Sequence, residues 1–295
     1  MAEDERELVA SSNANERSSS LLRRLSKDHK LSVASLVVIL LFALAAVFAP
    51  VLTPYDYDAI SLSDRLAPPS FEHLLGTDEG GRDVLTRLLY GSRVSLMVGI
   101  VPTMLSMVVG TLVGMTSGFF GGKVDTVVMR VADIVMSFPS MLLAMVVMYT
   151  LGGGTANVFL TMVCVGWAGV ARVVRAETLR LKQNEYIEAA RIVGVRRLRI
   201  MLRHILPNCL PTIVVLFTLE IPSSILTESS LSFLGMGVQP PSASWGLMVS
   251  TGREFLYHAP WLCFVPCVAI MIIVLAFNYL GDGLRDVLDP HLRGR

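Results

Sequence analysis

The chain has 295 residues, 53% of them hydrophobic and only 17% charged, with a positive mean hydropathy. A water-soluble domain of that balance would expose too much apolar surface, so the composition points to an integral membrane protein. The formal net charge of +1 supplies no basic face for nucleic acid.

The first 30 residues are polar and rich in Ser and Arg, without the apolar core and cleavage site of a signal peptide. They read as a tail, with residues 21–30 lying along the membrane surface. No charge occurs between Lys30 and Asp56, which places a first span at 31–52. Residues 76–83, "GTDEGGRD", are acidic and Gly-rich but lack the alternating oxygen ligands and terminal Glu of a calcium loop. They read as a turn leading into the amphipathic segment "DVLTRLLYG". A second uncharged run from Arg93 to Lys123 predicts a span at 94–118. In it Gly110, Gly114 and Gly118 make a smooth face for close helix approach. The run 134–171 carries no charge at all. It is too long for one helix across about 30 Å of hydrocarbon, and Gly152, Gly153 and Gly154 divide it into a third and a fourth span. A fifth is expected at 209–226 and a sixth at 260–280. The expected fold is an all-α integral membrane protein with six transmembrane helices.

Charge orients the spans. Of the 25 Lys and Arg, twenty fall on the side of both termini and five on the other. Both termini are therefore expected in the cytoplasm. The expected organisation is a cytoplasmic tail at 1–30, a first helix and extracytoplasmic loop at 31–92, a five-helix core at 93–281 and a cytoplasmic tail at 282–295. The densest basic segment, 183–208, falls on the cytoplasmic side.

No catalytic set emerges. "GFFGGKV" at 118–124 has Ser117 where a phosphate cradle needs Gly, and no Ser or Thr follows Lys123. The five histidines are scattered, and Cys164, Cys209, Cys263 and Cys267 lie in apolar surroundings without metal-ligand spacing. An intramembrane enzyme would need an aligned acid, nucleophile or metal set within the spans.

In 183–208, Ile187, Ala190, Ile192 and Val193 can form the apolar side of a short helix capped by Asn184. Gly194 supplies the freedom to stop and turn. Leu198, Met201, Leu202 and Ile205 then follow helical spacing, with arginines around them, and Pro207 is expected to end that segment before the fifth span. The expectation is two short helices joined by a glycine bend. A plain basic loop with a snorkelling helix is the bland alternative, and a structural scaffold would need no special pattern here.

The order Glu188, Ala189, Ala190, three residues, Gly194, nine residues, then His204, Ile205, Leu206 and Pro207 resembles the EAA loop of the membrane subunits of bacterial ABC importers. His204 stands where that family has Ile. Residues 73–96, 228–246 ("ESSLSFLGMGVQPPSASWG") and 281–290 resemble the C-type permeases of the dipeptide, oligopeptide and nickel importers. The resemblance implies a type I importer permease fold and a role in peptide translocation, with a nickel or other small-solute importer as the alternative. It also implies partners: a second homologous permease, two ATP-binding subunits that bind and hydrolyse the ATP, and an extracytoplasmic binding protein. The chain itself would hold no cofactor and would sit in the cytoplasmic membrane among its lipids. Glu188, Ala189, Ala190, Gly194, Leu206 and Pro207 would carry the contact to the ATPase. Glu220, mid-way along the fifth span, either lines a path or lies near the outer interface if the span sits lower. Glu228 reads as interfacial.

Overall fold

The computed structural model describes residues 30–288, so the readings of the segments 1–29 and 289–295 lie outside the described residues. Nearly all of the rest is helical: α1 Lys30–Leu52, α2 Val84–Phe120, α3 Gly122–Ser137, α4 Ser140–Leu151, α5 Thr155–Lys182, α6 Glu185–Ile192, α7 Arg197–Ile200, α8 Leu206–Phe233, α9 Trp245–Gly252 and α10 Trp261–Leu288. Five helical rods are long and apolar enough to cross a membrane: α1, α2, α5, the run Arg197–Phe233, and α10. A sixth candidate is the pair α3 and α4, which are apolar enough together but bent by 93°, the geometry of a broken span or a re-entrant loop. Pro139 stands at the bend, where it cannot donate to the helical ladder. With 12 residues, α4 spans only about 18 Å, so it cannot cross alone. The segment expected to be the third span is thus two helices joined at a sharp bend, not one continuous helix.

Other helices outrun the uncharged stretches. α2 starts at Val84, ten residues before the expected 94, so the boundary drawn between 92 and 93 falls inside it. Two arginines in this extension are both spent on partners. Arg87 pairs with Asp78 at 3.3 Å, and Arg93 donates to the carbonyls of Ala46 and Val47 on α1. Asp83 caps the helix, its Oδ2 accepting from the Thr86 amide at 2.8 Å. Residues 76–83 do form a turn into it: Asp78 Oδ1 accepts from the amides of Gly80 and Arg82, while Arg82 holds Asp78 and Glu79. At the other end, α5 continues to Lys182 and α10 to Leu288, well past the expected 171 and 280.

Helix α2 packs along α5 through the small-residue face read from the sequence. A Cβ at Gly114 would lie 2.3 Å from the Ala171 carbonyl oxygen, so only glycine permits this approach. Toward the lower end of this pair, Arg175 of α5 binds Asp125 of α3 at 2.5 and 2.6 Å, and Ser117 of α2 donates to the same carboxylate. Three apolar clusters fill the bundle. One, around Trp245, Ile225, Ile273 and Val84, joins α1, α2, α8, α9 and α10. A second, around Val98, Met148, Val158 and Leu231, holds α4. The third, with Met115, Phe119, Leu181, Ile187, Ile200 and Ile205, lies under the segment 183–208.

Candidate functional site: a capped elbow at one end of the bundle

Residues 183–208 form an elbow. Its first arm is α6, with Asn184 at the N-cap position in extended backbone conformation but with no side-chain cap bond. Glu185 and Glu188 occupy the first turn, where carboxylates complement the helix dipole. The arm ends in a paired cap: the Gly194 amide donates to Arg191 O and the Val195 amide to Ala190 O, each at 3.0 Å. This is the Schellman arrangement, and it requires a left-handed residue at the turn. Gly194 supplies it with φ +81°, and a Cβ there would meet nothing within 4 Å. The constraint is backbone conformation, not crowding.

The second arm starts at Arg197 and does not stop at Pro207. It passes through a π turn, Met201–Ile205, in which the Leu206 amide donates to Met201 O, and runs on into α8. A proline lacks the amide its helical acceptor needs and crowds the preceding turn; the wider π turn accommodates both. Asn208 Nδ2 takes up the His204 carbonyl at 2.6 Å. The expectation that Pro207 ends the segment is therefore corrected: the second arm and the fifth span are one continuous rod, Arg197–Phe233, starting well before 209.

The arms are rooted by Ile187, Ile200, Met201 and Ile205, all buried against α2 and α5. Ile187, Met201 and Ile205 lie on the apolar faces expected from spacing, whereas Ile200 does not, and four of the expected residues face outward. Ile192 and Val193 are 81% and 82% exposed, and Leu198 and Leu202 also face outward. The π turn adds a residue to the local repeat and so rotates the face, bringing Ile200 inward and Leu198 outward. Of the residues singled out beforehand, Glu188, Ala189, Gly194 and Pro207 are exposed, while Ala190 and Leu206 are half-buried against the third cluster. The elbow thus presents a glutamate, an alanine and an apolar tip to the outside on a base fixed to two spans.

Glu220 lies on the exposed side of α8, with Ser223 and Thr227 following at helical spacing. Glu228 does not behave as an interfacial residue. It is fully buried, and its Oε1 accepts from the hydroxyls of Ser232 at 2.7 Å and Ser244 at 2.9 Å. Those hydroxyls in turn accept from the amides of Val238 and Leu247. Glu228 therefore pins the segment 235–247 over α8, and Trp245 completes the anchor by donating from its amide to Ser95 Oγ and from Nε1 to Leu88 O, both at 3.0 Å. No spacing signal links Glu228 with Ser244; the quoted stretch 228–246 contains both without revealing the contact.

The comparisons with known proteins agree with this architecture. The family model described as the binding-protein-dependent transport system inner membrane component matches residues 110–294, and the N-terminal TM domain of oligopeptide transport permease C matches residues 20–69. The oligopeptide transport system permease protein OppC of Bacillus subtilis is 41% identical over 90% of this chain and 88% of its own length. A putative peptide transport system permease of Brucella abortus is 44% identical, covering 92% and 91%. The glutathione transport system permease GsiD of Pectobacterium atrosepticum is also 44% identical, covering 92% and 90%. A chain of the inward-facing MetNI methionine ABC transporter has the same fold, with a TM-score of 0.57 and 19% identity over 69% of this chain and 96% of that one. The chain belongs to the family of inner membrane components of binding-protein-dependent transport systems, as a C-type permease of an ABC importer.

Proposed function

We propose that the importer carries short peptides, that this chain pairs with a second, homologous permease, and that the elbow 183–208 passes movement from the ATP-hydrolysing subunits to the bundle. The peptide reading is supported by the names of the relatives, which are permeases for oligopeptides, dipeptides and glutathione. One observation carries the elbow reading: Ile192 and Val193 stand out into solvent beside exposed Glu188 and Ala189, on arms whose inner faces are locked into α2 and α5. An exposed apolar tip on a short helix suits a groove on a partner, and small Ala189 permits close approach. Because α7 runs unbroken into α8, a displacement of the tip is transmitted along a single rod to the level of Glu220. Transmission of this kind needs contacts that differ between the two states of the bundle.

This reading places both termini and the elbow in the cytoplasm, and the end holding 53–83 outside, following the distribution of Lys and Arg. It also places the ATP on partner subunits and the choice of cargo on an extracytoplasmic binding protein. The test uses the chain expressed with its partner genes. Single cysteines on a Cys-free background replace Phe71, Gln183 and Val193. An impermeant thiol reagent added to intact cells is expected to label position 71 and not 183. Position 193 is expected to cross-link to an ATP-binding subunit. Labelling of 183 from outside, or a cross-link from 193 to the binding protein, sinks the assignment.

A further inference from the structure

Beside the elbow lies a cavity of about 390 Å³, lined by Phe119, Phe120, Lys182, Arg191, Arg197 and Ile200 among others. Three cations from three elements converge on it: Lys182 from the end of α5, Arg191 from α6 and Arg197 from α7. They are held by rings, not by carboxylates. The Arg191 guanidinium sits 5.1 Å from the Phe119 ring centroid, Lys182 Nζ 6.0 Å from the same ring, and Arg197 6.0 Å from Phe120. Lys182 also donates to the Phe119 carbonyl at 2.7 Å, at the C-terminal end of α2. Among the described residues no carboxylate pairs with any of the three. Asp125, on the neighbouring start of α3, is taken by Arg175 and Ser117. Cation–ring contacts orient a positive group without neutralising it. The pocket therefore holds three directed positive charges without a carboxylate in direct contact, Asp125 acting on Lys182 only through space.

We propose that this pocket binds the phosphate of an anionic phospholipid headgroup. The position favours a lipid over a protein carboxylate. The cavity is lined by Phe119 and Phe120 at the end of the apolar span α2, Phe120 being 46% exposed, and the helix that follows, α3, carries Val124, Val127 and Val131 exposed. A headgroup in the pocket leaves its acyl chains against that apolar strip. Phosphate bound by Lys182, Arg191 and Arg197 ties the end of α5 to both arms of the elbow and so fixes the angle across Gly194. The lipid becomes a strut of the coupling element. This consequence rests on the proposed role of the elbow; the binding itself does not.

The experiment uses the complete transporter, assembled with its partner subunits, in nanodiscs of phosphatidylcholine with graded phosphatidylglycerol, with retained lipid counted by native mass spectrometry. Each cation near an anionic headgroup contributes about a fivefold gain in affinity, so Lys182→Gln with Arg197→Gln should weaken phosphatidylglycerol retention about 25-fold. Lys182→Arg should restore most of its share. Arg172→Gln removes one equal charge on α5 outside the pocket, where it faces Asp133, and should leave retention unchanged. Equal loss in the Arg172 control, or full retention in the double variant, overturns the proposal. So does displacement of the lipid by inorganic phosphate at matched concentration, which would mark a free-anion site. Loss of the ATP-binding subunits with lipid retention intact would assign the cations to the protein partner instead. None of these readouts depends on transport, so a failure of the elbow reading is distinguishable from a failure here.

Discussion

Arg93 of α2 donates to the carbonyl of Ala46 on α1, the acceptor that Pro50 leaves empty four residues on. Proline has no amide, so this carbonyl, on a residue buried in the bundle, would otherwise lack its helical donor. Arg93 Nη2 also reaches the next carbonyl, of Val47, at 2.9 Å. The carbonyl that Pro50 frees on one helix thus serves as the docking site for the other. A bond from a charged donor contributes about 1.5–3 kcal/mol. Arg93→Met should lower the thermal midpoint of the purified complex. Pro50→Ala restores the helix's own donor, so Arg93→Met in that background should cost clearly less. Strict additivity in the double-mutant cycle would disprove the relationship.

Glu228 yields a prediction of opposite kinds for two substitutions. Its Oε1 accepts two hydroxyls, and Oε2 lies unpartnered near Gly246, whose added Cβ would sit 3.1 Å away. Glu228→Gln keeps the accepting oxygen and removes a charge buried in the bundle, so assembly and uptake should survive. Glu228→Leu orphans Ser232 and Ser244 together and should cost about 1–3 kcal/mol or more. Protease cleavage within the segment 235–244 of the detergent-solubilised complex reads the difference. Equal cleavage of the two variants would refute the pinning role.

The elbow and its glycine were legible beforehand because a Schellman cap is local: its donors, acceptors and left-handed residue lie within six positions. The turn at 76–83 and the smooth Gly110–Gly114–Gly118 face were legible because each pattern is local in sequence, whereas the cap supplied by Asp83 was not read. Helix lengths were not. Arg93 looked like the end of a span because its acceptor, the Ala46 carbonyl, belongs to another element. The outward face of α7 was misread because a π turn adds a residue to the repeat, and periodicity cannot foresee it. Glu228 looked interfacial because Ser244 reaches it only after the chain has doubled back.

For Glu220 the expected effect is selective. It stands on the exposed side of α8, and the two readings open for it are a place on the path or one near the outer interface. An ionisable group at that depth is tolerated where water or a partner reaches it. If it lines the path, Glu220→Gln should slow uptake of cationic peptides several-fold more than that of neutral ones, with the complex recovered in parental yield. Equal uptake of both classes by variant and parent would leave Glu220 an interfacial residue with no role in the path.

The elbow makes the sharpest prediction. Gly194 holds φ +81° in open surroundings, so a larger side chain there meets no neighbour; what it disturbs is the backbone well. Gly194→Val, β-branched, should cost about 1–3 kcal/mol in that conformation, comparable to a typical coupling energy between two sites. The cap bonds to Arg191 and Ala190 would open, and the exposed tip at Ile192 and Val193 would lose its fixed angle to α8. Gly194→Asn is the control, since Asn adopts the left-handed region readily and is equally polar-tolerant in an exposed turn. In proteoliposomes with loaded binding protein, the Val variant should retain basal ATP hydrolysis while losing its stimulation and most uptake; the Asn variant should retain both. Because the buried roots Ile187, Ile200 and Ile205 are untouched, membrane insertion should be the same in all three. If Val and Asn behave alike, with uptake and stimulated hydrolysis at the parental level, the angle set at Gly194 plays no part in coupling, and the elbow is an ordinary basic loop.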